Sequence, residues 1–282
     1  MEALYHKTSF KISKEVTRSY STSFSLGISV FAPDYKDAIY AIYGYVRLAD
    51  EIVDSFHGYE KEKLLAEFKE ETYKSLERGI SLNPVINSFQ KTVNEYNIEK
   101  QLIDDFLFSM KMDLSNSYYE SRHFDEYIYG SAEVVGLMCL KVFCGKDENL
   151  FKELLEPAKA LGSAFQKVNF LRDIKSDIEE RGRIYLPGVS EKVLITNENK
   201  RELEKTVNEE FKSALKGIMK LPKGVKFGVY SAYLYYWMLF KKIQKHDVEV
   251  LLKKRVRISN FTKLVLLLKS LIEIKYYEIV NE

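Results

Sequence analysis

Tyr43-Gly44-Tyr45-Val46-Arg47-Leu48-Ala49-Asp50-Glu51-Ile52-Val53-Asp54 and, far downstream, Gln166-Lys167-Val168-Asn169-Phe170-Leu171-Arg172-Asp173-Ile174-Lys175-Ser176-Asp177 decide how this chain folds. Both stretches repeat apolar residues at helical spacing, and each ends in two aspartates four residues apart. At about 100° per residue, Tyr43, Arg47, Asp50 and Asp54 fall in one narrow stripe, as do Gln166, Asn169, Asp173 and Asp177. Like charges one turn apart destabilise a helix. A hard divalent cation with oxygen ligands, Mg²⁺ above all, relieves that repulsion. The first stripe reads either as a solvated face or as the wall of a polar cavity. The second consists only of groups with an oxygen donor, which favours a site over a lattice of surface ion pairs. Arg172, Lys175, Arg181 and Arg183 stand beside or after it, as a shared phosphate ligand would require.

Working outward, the same helical period runs through Tyr35–Asp54, Leu102–Tyr118, Phe124–Phe143, Glu156–Ile178, Glu202–Met219 and Lys226–His246. Pro33, Pro84, Pro157, Pro187 and Pro222 mark expected breaks. Hairpin dipeptides are absent, and no low-complexity linker divides the chain. The expectation is a single all-α domain over residues 1–282, with residues 1–15 and Asn197–Lys205 irregular. Tyr127–Gly136 sets small residues on neighbouring turns of an apolar helix, which fits close helix packing as well as a ligand groove. The tyrosines of Val229–Phe240 fit core packing as well as a cation-facing wall.

Composition narrows the function. The 282 residues carry 43 basic and 41 acidic side chains, a net charge of +2 that gives no general argument for nucleic acid. Cys139 and Cys144 read as reduced thiols with no zinc set nearby. His6, His57, His123 and His246 are scattered, and no Gly-rich phosphate loop occurs. With no signal-like N-terminus and no apolar run of about 18 residues, the expectation is a cytoplasmic protein, at most peripheral on the inner face of the cell membrane. Lys223, Lys226, Lys241, Lys242, Lys245, Lys253, Lys254, Arg255 and Arg257 bias the C-terminal third toward anionic lipid.

Four motifs in order resemble the squalene and phytoene synthases, head-to-head prenyl transferases of the class I isoprenoid fold. They are Ser23–Gly27, Tyr43–Asp54, Tyr127–Met138 and Gln166–Pro187. Asn169-Phe170-Leu171-Arg172-Asp173, continued by Arg181-Gly182-Arg183-Ile184-Tyr185-Leu186-Pro187, is the most specific part. The form of the first motif and the run Val135–Met138 look most like a bacterial phytoene synthase. The resemblance implies a helical bundle with a central active-site cavity. It assigns Asp50, Asp54, Asp173 and Asp177, with Asn169, to Mg²⁺, for which Mn²⁺ could substitute. It assigns Arg47, Arg172 and Arg183 to diphosphate contacts and Gln166 to a polar position beside the metals. Ser21 and Ser23 fall in an N-terminal substrate flap, and Tyr43, Tyr127 and Tyr236 match pocket tyrosines. The implied reaction joins two geranylgeranyl diphosphates into phytoene through a cyclopropyl intermediate, without NADPH. Alternatives are condensation of two farnesyl diphosphates, or a non-catalytic assembly factor of the same fold. A carboxylate-bridged redox site lacks its Glu-x-x-His pairs. Three departures stand out. Ser176 replaces a common carboxylate, the longer spacing leaves Arg181 without an assigned role, and Tyr20 occupies a flap position that is basic or His in some relatives.

Overall fold

Proline and short polar side chains set where the helices begin. The computed structural model describes residues 1–115 and 118–281. Pro33 opens helix α3 (Pro33–Asp54), where its missing N–H costs nothing. Pro84 opens α5 (Pro84–Tyr96), whose first amides donate to the Asn83 side chain. Around them lie α1 (Glu2–Tyr20), α2 (Thr22–Ser29), α4 (Lys61–Arg78) and α6 (Lys100–Ser115). The second half holds α7 (Ser121–Ile128), α8 (Val134–Cys144), α9 (Glu148–Glu179), α10 (Asn197–Ile218), α11 (Lys223–Gln244), α12 (Val248–Leu251) and α13 (Asn260–Asn281). No strand occurs among the described residues, only an isolated bridge between Tyr118 and Ile184. The fold is all-α.

Three expectations are corrected. Residues 2–20 are helical rather than irregular. Their inward stripe is Ser9, Ser13 and Thr17, all fully buried, so hydroxyls stand where periodicity would look for apolar side chains. Ser13 Oγ meets Ser88 Oγ at 2.7 Å, and the Asn87 amide donates to Ser9 Oγ at 2.9 Å. Asn197–Lys205 forms the first turns of α10, because Thr196 and Asn199 exchange side-chain and backbone bonds in a capping box. Pro157 lies inside α9 and does not end it. Its ring packs on α10, where a Cβ at Gly217 would sit 2.2 Å from the Pro157 Cβ, and this contact offsets the lost helical hydrogen bond. The expected helix to Tyr118 is α6 as far as Ser115; residues 116 and 117 lie outside the described residues.

At the centre of the first half, Tyr45 of α3 stacks on Phe89 at 3.7 Å and on Phe68 at 4.8 Å, locking α3 against α4 and α5. In the second half α9 packs along α8 and α10. Between α7 and α8 the backbone runs through a π-helical turn, Tyr129–Glu133, closed by the Val134 amide on the Tyr129 carbonyl. The bulge presents Ser131, Ala132 and Val135 to the cavity beside α9. Among the described residues one helical stretch, Arg122–Cys144, is long and apolar enough to cross a membrane by composition, but most of it is buried inside the bundle as core.

Gly162 lets α9 approach the π-helical turn: a Cβ there would lie 2.6 Å from the Ala132 carbonyl oxygen and 3.0 Å from its carbon. Both obstacles are backbone and cannot swing away. Gly162→Ala is therefore expected to destabilise the fold by about 1–3 kcal/mol despite its better helix propensity. Chemical denaturation of the variant measures this, and an unchanged midpoint contradicts the close approach.

Candidate active site

Two helices carry the aspartates, and those helices and two further segments bring cations to them. From α3 come Tyr43, Arg47, Asp50 and Asp54; from α9 come Gln166, Asn169, Asp173 and Asp177. Both stripes face the same space. One guanidinium shows how near they stand: Arg181 places Nε 3.2 Å from an Asp54 oxygen and a terminal nitrogen 2.6 Å from an Asp177 oxygen. The residue left without a role by its spacing thus joins the two motifs. Arg183 donates to Asp54 at 2.7 Å and to the Tyr185 hydroxyl at 3.2 Å. At 8% exposure it belongs to the interior of the site.

Asp173 is held by two arginines. Arg172 grips both its oxygens, at 3.0 and 2.5 Å. Arg255, on the segment before α13, adds contacts at 2.6 and 3.2 Å. Burial pushes the Asp173 carboxyl up, but the Arg172 and Arg255 guanidiniums outweigh it and hold it below the usual carboxylate range. Asp50 and Asp177 fare differently. For Asp50, burial together with repulsion from Asp54 and Asp113 outweighs Arg47 and pushes the carboxyl up to about 7. Arg47 stands 3.8 Å from Asp50 because its guanidinium turns to Glu51 and lies 4.4 Å under the Tyr20 ring. For Asp177, burial outweighs Arg181, and Asp173 and Asp54 add repulsion, again to about 7.

Behind this front lies a residue that sequence reading missed. Asp113 of α6 is buried and accepts the hydroxyls of Tyr119 at 2.8 Å, Tyr127 at 2.7 Å and Tyr185 at 2.7 Å. Burial raises its pKa, and Arg183 at 3.8 Å with the three tyrosines works against that. A lone acid on the apolar stripe of α6, in step with Leu102, Phe106 and Met110, was the available signal.

The other expected residues divide. Tyr43, Arg47, Asp50, Tyr127, Gln166 and Asn169 line a cavity of about 320 Å³. The rest of its wall is apolar, from Phe24 and Ile28 of α2 to Leu154, Phe165 and Ile218. Tyr236 stacks on Phe165 at 4.0 Å and donates to the Asn169 oxygen at 3.3 Å, whereas Tyr230 and Tyr233 pack away from the site. Ser21 caps α2 by accepting the Phe24 amide and lies beside the Tyr43 hydroxyl. Ser23 is not brought in: it lines a separate crevice with Tyr235 and Lys263.

Among the described residues, no three Asp, Glu, His or Cys side chains converge on a single metal position. The donor set still fits a hard cation by its chemistry: all oxygen, with Asp50 and Asp177 short of positive charge.

Residues 17–262 match the sequence profile of squalene/phytoene synthase. The chain belongs to that family. It is 30% identical to the chloroplastic phytoene synthase of Narcissus pseudonarcissus over 88% of its own length, spanning 60% of that relative. A phytoene synthase of Arthrospira platensis is 28% identical across 92% of this chain and 91% of its own length. The fold matches a crystallised dehydrosqualene synthase with a TM-score of 0.81 at 22% identity, covering 96% of this chain and 98% of the other. A squalene synthase from Alicyclobacillus acidocaldarius gives 0.73 at 18% identity over 86% and 95%. The helical architecture is therefore that of this family's solved members.

The raised carboxyl of Asp50 has a stability consequence. A carboxyl whose folded pKa exceeds its unfolded one favours folding while protonated; that contribution is whole below about pH 4 and is lost as pH rises through about 7. Asp50→Asn is expected to melt like the parent near pH 4 and increasingly above it toward pH 8, in chelator. A pH-independent difference contradicts the assignment.

Proposed function

We propose that this chain condenses two prenyl diphosphates head to head, and that its preferred substrate is geranylgeranyl diphosphate, giving phytoene and two diphosphates. The observation that carries the reading is a single cavity with chemically opposite ends. Its polar end is lined by Arg47, Asp50, Gln166 and Asn169, beyond which Asp54, Asp173 and Asp177 follow on the same two helices with Arg181 joining Asp54 to Asp177, and its other walls are largely apolar. A diphosphate suits the first and a long hydrocarbon chain the second. The lining residues Ile39 to Asp50 extend about 17 Å along α3, and Leu154 to Asn169 about 22 Å along α9, long enough for an extended polyprenyl tail. The phytoene synthases among its relatives support the longer substrate.

Asp50, Asp54, Asp173 and Asp177, with Asn169, would hold Mg²⁺, or Mn²⁺ in its place, which neutralises a leaving diphosphate as a Lewis acid. The chain's own residues do the rest. Arg172, Arg181, Arg183 and Arg255 already reach the carboxylates, and their forked donors suit phosphate oxygens that arrive between them. Once the carbon–oxygen bond of one substrate breaks, its allylic cation is attacked by the double bond of the other, and proton loss closes a cyclopropane. A second departure of diphosphate, rearrangement and loss of a proton give the triene. Atoms balance without a reductant, so no NADPH is required. Phe24, Val46, Phe165 and the small residues of α8 and α9 keep water from the cations. In this reading the protein works in the cytoplasm and releases its product at a membrane it touches only peripherally.

Incubation with geranylgeranyl or farnesyl diphosphate and Mg²⁺, with and without NADPH, followed by mass analysis of the lipid, tests the reading. A C40 hydrocarbon with a conjugated central triene from the first substrate supports it. A C30 product formed only from the second overturns the substrate choice, and no product from either overturns the activity.

The variants separate the two kinds of cation. Asp50→Asn, Asp54→Asn, Asp173→Asn and Asp177→Asn are each expected to lower turnover by about a hundredfold or more. Stability is expected to differ among them. Asp54→Asn weakens the pairing of both Arg181 and Arg183 and should lose about 1–2 kcal/mol. Arg183→Lys keeps charge but loses the planar fork, for an expected tenfold loss of kcat/KM, about 1.4 kcal/mol, with Mg²⁺ dependence unchanged. Steady-state kinetics at varied substrate and varied Mg²⁺ measure both effects.

A further inference from the structure

α13 is a 22-residue helix with two unlike sides. Its inner side docks on α11 through buried Leu266, Ser270 and Ile274, pinned by Ser231 on Ser270 at 2.7 Å and by the Tyr230 hydroxyl on Glu273 at 2.9 Å. Its outer side is apolar except for Lys275. Phe261, Leu264, Val265, Leu268, Ile272 and Ile279 fall within about 100° of one another around the helix, and Phe261, Leu268 and Ile272 are 76%, 55% and 69% exposed. An outward stripe of this kind, unbroken from Phe261 to Ile272, marks an interaction surface rather than scattered surface leucines.

Charge identifies the occupant. Between Lys253 and Asn281 the sequence holds seven bases and two acids, of which Glu273 is already engaged by Tyr230 and Lys269. Lys269 and Lys275 are exposed on α13, and Lys253, Lys254 and Arg257 are exposed just before it. Of the wider basic patch expected from sequence, Lys226 is buried and Lys241 lies over Trp237, while Lys223, Lys242 and Lys245 stay exposed on or beside α11. A second copy docking on the stripe would set lysines against lysines. We propose that α13 lies in the plane of an anionic lipid bilayer, its apolar stripe among the acyl chains and its bases on the headgroups. The helix lies flat and does not span, because its other side is occupied by α11.

The placement bears on the site. Arg255 pairs with Asp173 only six residues before Phe261, so the stripe begins within about 20 Å of the Arg255 backbone. Docking brings the polar mouth to the headgroup layer. That a product would pass from there into the bilayer rests on the reaction proposed above; the docking does not.

Flotation of the whole protein with phosphatidylcholine vesicles, with and without phosphatidylglycerol, tests the surface. The parent is expected to float with the anionic vesicles, less so at high salt. Leu268→Glu combined with Ile272→Glu, both outward-facing, is expected to weaken partitioning by about tenfold or more while circular dichroism and melting stay those of the parent. Leu268→Trp is expected to gain an emission component quenched by brominated lipid, beyond the signal of the native Trp237. Equal flotation of parent and double variant overturns the proposal, as does an unquenched Leu268→Trp. A parent that ignores vesicles but forms a dimer broken by the double variant overturns it in favour of a second copy.

Discussion

Carboxylates that face one another across a poorly hydrated cleft set the conditions for everything around them. Two unit charges about 4 Å apart repel by about 4 kcal/mol at the effective dielectric of a protein interior, and here Asp50, Asp54, Asp173 and Asp177 converge with Asp113 close behind. The chain answers with guanidiniums rather than ammonium groups. A planar fork can hold two carboxylates at once, as Arg181 does between Asp54 and Asp177, or both oxygens of one, as Arg172 does on Asp173. Even so the compensation is incomplete. Asp173 is kept charged, while Asp50 and Asp177 are pushed toward neutrality. The uneven outcome locates the unmet demand for positive charge on one acid of each pair, which is where an added divalent cation does most.

Most of the cations are carried by segments other than the helices that hold the acids. Arg181 and Arg183 come from the turn after α9, which pivots at Gly182 with φ of +67°, and Arg255 comes from the segment before α13. Arg172 alone shares α9 with its partner. Behind the turn, Asp113 and its three tyrosines form a rigid seat: Tyr185 stacks on Phe170 at 4.3 Å with rings nearly parallel, and its hydroxyl meets both Asp113 and Arg183. The seat fixes Arg183 in the site more firmly than an ion pair with Asp54 alone could. Buried polar networks of this kind hold geometry because each member would be costly to leave unpaired.

Both aspartate stripes were legible in sequence because a helix projects residues three and four apart onto one face whatever surrounds it. The fold class followed from the same periodicity. What escaped did so for identifiable reasons. α1 buries hydroxyls instead of hydrocarbons, so a hydrophobic pattern is silent there. The start of α10 depends on a two-residue exchange of hydrogen bonds that composition does not register. Pro157 reads as a stop in sequence because its cost is local, whereas its compensation, the fit against Gly217, is tertiary. Arg181 and Arg255 reach the acids through loop geometry, which spacing does not determine. Ser23 shows the opposite failure: a residue placed by resemblance in the substrate flap turns its side chain to another crevice, because on α2 it lies on the face away from Phe24.

The polar and apolar halves of the cavity are built on different physical terms, and α9 serves both. Toward its C-terminal end, side chains with fixed hydrogen bonds hold charge in place. Toward its middle, Ala158 and Gly162 face Ala132 and Gly136 with almost no side chain between the backbones. Close approach there tightens the contact between α9 and the segment around α8, and it leaves wall surface that is smooth and without donors. In the proposed reaction, a cation in that region would meet dispersion contacts and aromatic faces such as Phe24 and Phe165, with little that could capture it as a nucleophile. The π-helical turn contributes to the same end by setting Ala132 and Val135 on the cavity wall, with the Ser131 hydroxyl as its one polar side chain there. One helix thus fixes the charged end by hydrogen bonding and shapes the uncharged end by the absence of side chains, so the distance between the two is set by the helix itself.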